Sequence, residues 1–259
     1  ANTANGYYAL YSNTEGYANT ANGYQALYSN TTGYSNTANG NQSLYSNTVG
    51  LNNTASGSGS LYYNTSGSDN TANGFKSLYS NTTGLGNTAN GVSALYSNTS
   101  GASNAAFGND TLSSNTTGGY NLAFGPYALN ANTTGSYNAA MGGLGANTVG
   151  NNNTALGLGA LSSNVAKSES TAVGYNAMYY AHNTAVGAIT YNTAVGAFAL
   201  QGSTTAANNT GTNNTALGAN TMYQTTSGGY NTAVGDTALY INSTGASNTA
   251  VGQATLWAN

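Results

Sequence analysis

Large apolar residues recur along this chain at a fixed distance from a glycine. That glycine closes the phrase Asn-Thr-Ala-x-Gly, and the large apolar residue usually stands four positions after it. Alanine lies two positions before the glycine in every copy, while Asn, Thr, Ser, Gly and Tyr fill most of the remaining positions. The hydrophobic pattern therefore has a much longer period than one helix or one strand produces.

We call the glycine of this phrase the marker glycine. Sixteen copies are visible; the first nine are 17 residues apart, and the later steps are 15, 17, 13, 9, 22, 17 and 17. The marker glycines are Gly6, Gly23, Gly40, Gly57, Gly74, Gly91, Gly108, Gly125, Gly142, Gly157, Gly174, Gly187, Gly196, Gly218, Gly235 and Gly252.

This period predicts stacked β-coils. Seventeen residues are too few for a helical-pair repeat, which needs about 30, and Asn, Thr, Gly and Tyr disfavour helix. A second glycine ten positions after the marker indicates two turns per coil, where glycine supplies a positive φ. Short strands are expected at Thr-Ala-x before the first turn and at Ala-Leu-Tyr-Ser after it. We therefore predict an all-β fold, a parallel β-solenoid (β-roll) of about sixteen 17-residue coils.

The pattern subdivides this single solenoid, residues 1–259. Residues 1–104 form regular coils with Asn or Ser before the marker glycine, and residues 105–147 form regular coils with an apolar residue there. Residues 148–218 are irregular, and residues 219–259 are regular again. Because two marker glycines in the irregular part are nine residues apart, we interpret the second phrase as the second turn of one coil. Gly202 to Asn214 is then a loop.

The columns also predict where side chains lie. We expect Leu27 and its copies to form a dry core and the Asn columns to form amide ladders, as in other stacked β-structures. Tyr28 and Asn30 are expected to face outward. The phrase begins at Asn2 and still continues at Trp257; because solenoid ends need a cover, end-to-end polymerisation is the expectation.

Composition narrows the function. Only 3% of residues are charged, and Lys76 and Lys167 are the only basic ones. No basic surface is available to bind nucleic acid or an anionic membrane. No apolar run approaches the ~20 residues of a membrane span, so membrane insertion is not expected. The absence of cysteine excludes disulfides and thiolate metal sites.

No constellation of reactive side chains stands out. His182 is the only histidine, and it accompanies Glu169 in the irregular stretch without a paired acid at a fixed offset. Asp69, Asp110 and Asp236 are dispersed over different copies and form neither a calcium loop nor a carboxylate pair. We therefore predict no catalytic residue, no metal site and no cofactor, and a protein that is not an enzyme.

Tyrosine gives the strongest indication of a binding surface. It stands five positions after each of the first six marker glycines, next to the inward leucine, and predicts an exposed aromatic ladder. Three roles stay open: stabilising the sheet face, contacting a neighbouring fibre, or stacking sugar rings. The candidate binding residues are Tyr11, Tyr28, Tyr45, Tyr62, Tyr79 and Tyr96.

The Asn-Thr phrases before the second glycine admit three interpretations. The first is a turn, because Asn and Thr side chains form hydrogen bonds with nearby backbone groups and stabilise turns. A ladder of Thr and Asn side chains is also a candidate ice-binding face. Several of them are sequons for N-glycosylation, and a glycan coat would keep a weakly charged rod dispersed. The candidate glycosylation residues are Asn30, Asn64, Asn81, Asn98, Asn115, Asn132 and Asn242.

The repeat resembles known fibre proteins. The phrase from Asn231 to Gly235 and the unit from Asn19 to Gly33 resemble repeats of bacterial and phage tail-fibre-like proteins and of trimeric autotransporter adhesin heads. The resemblance implies a left-handed parallel β-roll, commonly a homotrimer, at a cell or virion surface.

These observations predict a non-enzymatic structural or adhesive fibre or filament subunit, located extracellularly. Its expected partners are further copies of itself, as a homotrimer or an end-to-end filament, and glycans or a cell surface. The alternatives are a carbohydrate- or surface-binding module that uses the tyrosine ladder, and an ice-binding protein.

Overall fold

The computed structural model describes residues 1–180, 187–205 and 208–259. Two compact units divide the chain, residues 1–134 and residues 135–259. No helix in the described residues is long and apolar enough to cross a membrane.

Each coil contributes one strand of three residues. Unit 1 contains β1 (Thr3–Asn5), β2 (Thr20–Asn22), β3 (Thr37–Asn39), β4 (Thr54–Ser56), β5 (Thr71–Asn73), β6 (Thr88–Asn90), β7 (Ala105–Phe107) and β8 (Leu122–Phe124). Unit 2 contains β9 (Ala139–Met141), β10 (Thr154–Leu156), β11 (Thr171–Val173), β12 (Thr193–Val195), β13 (Thr215–Leu217), β14 (Thr232–Val234) and β15 (Thr249–Val251).

Within each unit, every strand pairs in parallel with the strand of the next coil. The register aligns equivalent residues, as in the pairs Ala21↔Ala38 of unit 1 and Ala216↔Ala233 of unit 2. The alanine of each strand from β2 onward is buried, as alternation along a strand requires. The prediction of an all-β parallel β-solenoid is confirmed.

The described residues hold fifteen strands rather than sixteen, and the difference lies in the irregular stretch. Strand β11 pairs directly with β12, with Thr171 opposite Thr193, so the phrase ending at Gly196 forms the strand. Our assignment of that phrase to a second turn was wrong. The other phrase of this stretch ends at Gly187. The residues after it lie beside the second turn of the preceding coil, where Ile189 pairs with Ser168.

The Ala-Leu-Tyr-Ser segment is not the second strand that we predicted. It forms a turn in which Leu27 has a φ of 52° and Gln25 a φ of 53°, both in the left-handed region, which no strand residue adopts. The segment still bonds to the next coil, where the Leu27 amide donates to the Ser43 carbonyl over 3.0 Å. The left-handed residues turn the chain so that the leucine enters the core.

The leucine column forms the predicted core. Leu27, Leu44 and Leu61 are fully buried, as are their counterparts up to Leu129 in unit 1. Burying one such side chain stabilises the fold by about 1.5–3 kcal/mol. Because each leucine is covered by the residues of neighbouring coils, the core exists only when coils stack.

The two glycine columns serve different purposes. Marker glycine Gly23 has a φ of 139°, and a Cβ there would lie 2.5 Å from the Gly40 carbonyl oxygen. Gly33, of the second column, does not have the positive φ that we predicted. A Cβ on Gly33 would instead lie 2.4 Å from Asn30 Oδ1 and 2.5 Å from the Gly50 oxygen. The second column is glycine because neighbouring coils leave no room for a side chain.

Candidate functional site

The six tyrosines predicted from the repeat form one continuous stack in unit 1. Their successive ring centroids lie 5.3, 5.1, 5.0, 5.2 and 5.2 Å apart from Tyr11 to Tyr96. Four of the five ring pairs are within 7° of parallel, and only the pair of Tyr62 and Tyr79 is tilted, by 23°. We call this row the tyrosine ladder.

The ladder lies on the outside of the coils, as predicted. Tyr11 is 61% exposed because it has no ladder neighbour on one side, whereas the other five rings are half-buried. Each inner ring has an aromatic neighbour on both sides, so mainly its edge and hydroxyl group face solvent. A sugar ring stacks on an aromatic face, and only the outer face of Tyr11 is left uncovered by another ladder tyrosine at that end.

Further aromatic stacks were missed by the sequence prediction. In unit 2, Tyr223 stacks on Tyr240 at 5.1 Å, and Tyr240 stacks on Trp257 at 5.4 Å. These residues stand five positions after their marker glycines, so the column itself could have identified them. In unit 1, Tyr17 stacks on Tyr34 at 4.8 Å, one position after the second glycine.

Removing an inner ring of the ladder should destabilise unit 1. Tyr45→Ala breaks two stacked pairs, and aromatic pairs contribute about 0.5–1.5 kcal/mol each, so we expect a loss of about 2 kcal/mol in the free energy of unfolding. Tyr96→Ala is the matched control, since Tyr96 is also half-buried but has only Tyr79 as a ladder neighbour. Urea unfolding measures both; equal losses would contradict a stabilising role for stacking.

Three hydroxyl groups of the ladder have a raised pKa, those of Tyr28, Tyr62 and Tyr79. Burial, followed by the neighbouring hydroxyl groups of Tyr45 and Tyr11, raises the pKa of Tyr28. Burial is also the main cause that raises the pKa values of Tyr62 and Tyr79. The unfolded chain therefore releases these protons at lower pH than the folded chain does.

Alkaline pH should consequently weaken the fold. The contribution of these hydroxyl groups is fully present below the unfolded tyrosine pKa of about 10 and is lost as pH rises through the higher folded values. We expect the thermal midpoint to fall as the pH rises above about 10, and Tyr28→Phe combined with Tyr62→Phe to flatten that fall. Tyr230→Phe, outside the ladder, serves as the control and should leave the slope unchanged.

Asparagines of the sequons are buried, so the prediction that Asn30 faces outward is wrong. Its Nδ2 donates to Asn13 Oδ1 over 2.7 Å and to the Gly33 carbonyl over 2.9 Å. Asn47 donates in turn to Asn30 Oδ1 over 2.8 Å. The predicted amide ladder is thereby confirmed.

The same burial applies to every asparagine proposed for glycosylation. Each has no exposed surface in the folded coil, and Nδ2, the atom that would carry a glycan, donates a hydrogen bond within the ladder or turn. We therefore do not carry glycosylation of the folded coil forward. These residues are Asn30, Asn64, Asn81, Asn98, Asn115, Asn132 and Asn242.

Threonines of these phrases also bond between coils. Thr31 Oγ1 donates to the Thr48 carbonyl over 3.0 Å, and Thr48 Oγ1 donates to the Thr65 carbonyl over 3.0 Å. An ice-binding face needs hydroxyl groups that are free to order water. Because these asparagines are buried and these hydroxyl groups are engaged, the contacts favour turn chemistry, and we do not propose ice binding.

Acidic side chains are not gathered into a site in the part of the chain that the structure describes. No group of three His, Cys, Asp or Glu residues there is placed to hold a metal ion. Glu169 lines a shallow surface depression with Asn152 and Tyr191. His182 lies outside the described residues.

The comparisons with known proteins add no identification: no family model matches the chain, and no curated protein matches it.

Proposed function

We propose that this chain is a non-enzymatic structural segment of an extracellular fibre or filament. The observation that carries the proposal is that the repeated Asn side chains form hydrogen bonds between successive coils. Asn19 Oδ1 accepts a hydrogen bond from the Asn36 backbone amide, one coil further along the chain. Asn30 Oδ1 likewise accepts from Asn47 Nδ2, and both bonds recur in the following coils. The repeat uses its amides to join one coil to the next, and a stack of coils is stable only through such contacts between neighbours.

Self-association is the partner interaction that the outer surface favours. On the strands, the residue before the marker glycine is turned outward, and from β7 onward it is apolar. Met141 is 52% exposed, Leu217 46% and Val251 68%. A row of exposed apolar side chains is typical of a surface that contacts another protein, and we propose that further copies of the chain cover it in a homotrimer or filament.

Sedimentation of the purified full chain tests this proposal. We expect assemblies of three chains or more, and elongated particles in electron micrographs. Val234→Asn combined with Val251→Asn restores the polar type of β1 to β6 in unit 2 and should reduce assembly. Asn22→Ser is the control, since Ser56 already occupies that column. A monodisperse wild-type monomer at every concentration would reject the proposal.

A second candidate function is adhesion to carbohydrate or another surface through the tyrosine ladder. The regular row of ring edges and hydroxyl groups, about 5 Å apart, favours it. A glycan array compares the wild-type chain with Tyr28→Ala and Tyr45→Ala. We expect both variants to lose binding to any glycan that the wild type retains. Unchanged binding would reject the ladder as the adhesive surface.

A further inference from the structure

One aromatic column of unit 2 is interrupted by a glutamine. Five positions after the marker glycine, successive coils carry Tyr179, Gln201, Tyr223, Tyr240 and Trp257. Tyr223 stacks on Tyr240 at 5.1 Å, within 5° of parallel, whereas Phe198 meets the Tyr223 ring at 6.3 Å with a tilt of 66°. Because Gln201 replaces a ring, one face of Tyr223 has no parallel aromatic partner among the described residues.

The neighbouring column lacks a side chain at the same level. Six positions after the marker glycine, three successive coils carry Tyr180, Gly202 and Gln224. Backbone hydrogen bonds hold these coils together, since the Tyr180 amide donates to the Gln201 carbonyl over 3.0 Å and the Gly202 amide to the Tyr223 carbonyl over 3.1 Å. Gly202 therefore leaves an opening between the side chains of the coils on either side of it.

A surface pocket of about 400 Å³ lies at this opening. Its apolar surface comes from Tyr180, Tyr223 and Ile241, and its polar surface includes Thr204, Gln224 and Ser243. Small-molecule sites have volumes of about 300–1,000 Å³ and combine aromatic side chains with a few polar groups. The pocket has both properties, and every described residue that lines it belongs to unit 2.

One wall of the pocket comes from a coil that is longer than the repeat. Thr193 pairs with Thr215, so this coil has 22 residues, whereas the next has 17. Asn209 fixes the wall, because its Nδ2 donates to the Ser203 carbonyl over 3.0 Å and its Oδ1 accepts from the Ser203 amide over 2.8 Å. The same Nδ2 also donates to the Tyr180 carbonyl. The wall is thus pre-organised, which lowers the entropic cost of binding.

The polar groups of the pocket are neutral. No Asp, Glu, Lys, Arg or His is among the described residues that line it. Thr204, Gln224 and Ser243 are exposed, and their side chains form no hydrogen bond with any other described residue. An amide offers a donor and an acceptor together, and each hydroxyl group can act as either. A charged ligand would lose hydration here without meeting a counter-charge, so the lining favours a neutral ligand.

A pyranose ring matches this lining. Its hydroxyl groups are neutral donors and acceptors around the rim, and its C–H groups form an apolar face that stacks on an aromatic ring. We infer that the pocket binds a neutral pyranose, with one face of the sugar on the Tyr223 ring and its hydroxyl groups at Gln224 and Thr204. This site is separate from the tyrosine ladder of unit 1 and from any contact between copies of the chain.

Saturation-transfer NMR on the full chain tests the site. The probes are methyl β-glucopyranoside, methyl β-galactopyranoside and methyl α-mannopyranoside. We expect at least one to bind with a dissociation constant below about 10 mM, and the protons of one ring face to receive most of the saturation. Tyr223→Leu should weaken binding about threefold to tenfold because the stacking surface is lost. Gln224→Ala should weaken it about fivefold because a hydrogen bond is lost.

Trp257→Leu is the matched control. Trp257 belongs to the same aromatic column, but its ring stacks on Tyr240 and it does not line the pocket. This variant should keep the wild-type affinity, as should Tyr45→Ala in the ladder of unit 1. Binding that is lost in either of them and kept in Tyr223→Leu and Gln224→Ala would overturn the inference. So would the failure of all three sugars to bind, whatever the ladder binds on a glycan array.

Gln224→Ala keeps the test decisive if Tyr223→Leu does not fold, because the Gln224 side chain is exposed and supports no other described residue. Wild-type crystals soaked in the sugar that binds give an independent result. Sugar density against Tyr223 supports the inference, and sugar density only elsewhere overturns it. Neither result depends on whether the chain forms fibres.

Discussion

Gly57→Ala should lower the free energy of unfolding of unit 1 by more than about 3 kcal/mol. Gly57 has a φ of 135°, a conformation that is almost restricted to glycine and costs other residues about 1–3 kcal/mol. In addition, the new Cβ would lie 2.5 Å from the Gly74 carbonyl oxygen and 2.7 Å from its carbon. Because these are backbone atoms held in the stack, relief requires two coils to separate, and overpacking of this kind costs about 1–3 kcal/mol or more.

Gly59→Ala, two residues further along the same coil, separates the two causes. Gly59 also has a positive φ, of 68°, but a Cβ there would be 3.4 Å from Lys76 Cγ, an ordinary contact with a flexible side chain. We expect it to cost about 1 kcal/mol, the price of a left-handed alanine. Urea unfolding of both variants measures the difference. Similar losses would show that backbone strain alone, and not the close approach of coils, requires the marker glycine.

Repetition is the reason that the architecture could be predicted from the sequence. A column such as Leu27, Leu44 and Leu61 fixes both the register between coils and the inward face, since each residue must meet its own copy. The same logic correctly places Tyr28 outside. A prediction from such columns needs no knowledge of the backbone conformation within a coil.

The conformation inside one coil could not be predicted in that way. Leu27 is left-handed although leucine disfavours that region, because stacking and burial of its side chain determine the backbone locally. Asn30 was expected to face outward, like Tyr28. The structure buries it, because a stacked amide satisfies both its donor and its acceptor with copies of itself.

In the irregular stretch, the spacing of the marker glycines no longer determines which residues of successive coils pair. Strand β12 could be assigned only by knowing which phrase pairs with β11, and the sequence offers two phrases nine residues apart. The contact of Tyr180 and Tyr223 with one pocket depends on that choice, because they lie two coils apart in the chain. By contrast, the aromatic stack of Tyr223, Tyr240 and Trp257 could have been predicted, because each residue stands five positions after its marker glycine.

Asn64→Ala should lower the free energy of unfolding of unit 1 by about 3 kcal/mol. This variant measures how much the amide ladder stabilises the fold. Asn64 is fully buried, donates to Asn47 Oδ1 and to the Gly67 carbonyl, and accepts from Asn81 Nδ2, each over 2.8 Å. Losing a hydrogen bond costs about 1 kcal/mol, and a buried partner left unsatisfied costs about 1–3 kcal/mol. Asn47 Oδ1 becomes such a partner, because its donor in the next coil is gone.

Asn13→Ala provides the matched control at the end of the same ladder. Asn13 donates to the Gly16 carbonyl over 3.0 Å and accepts from Asn30, but it is only half-buried. Water can replace the hydrogen bonds that this variant loses, so we expect a cost of about 1 kcal/mol or less. Urea unfolding gives both values, and amide hydrogen exchange around Gly67 locates the damage. If Asn64→Ala cost no more than Asn13→Ala, the ladder would be a consequence of stacking, and the leucine core and the backbone hydrogen bonds would hold the coils together without it.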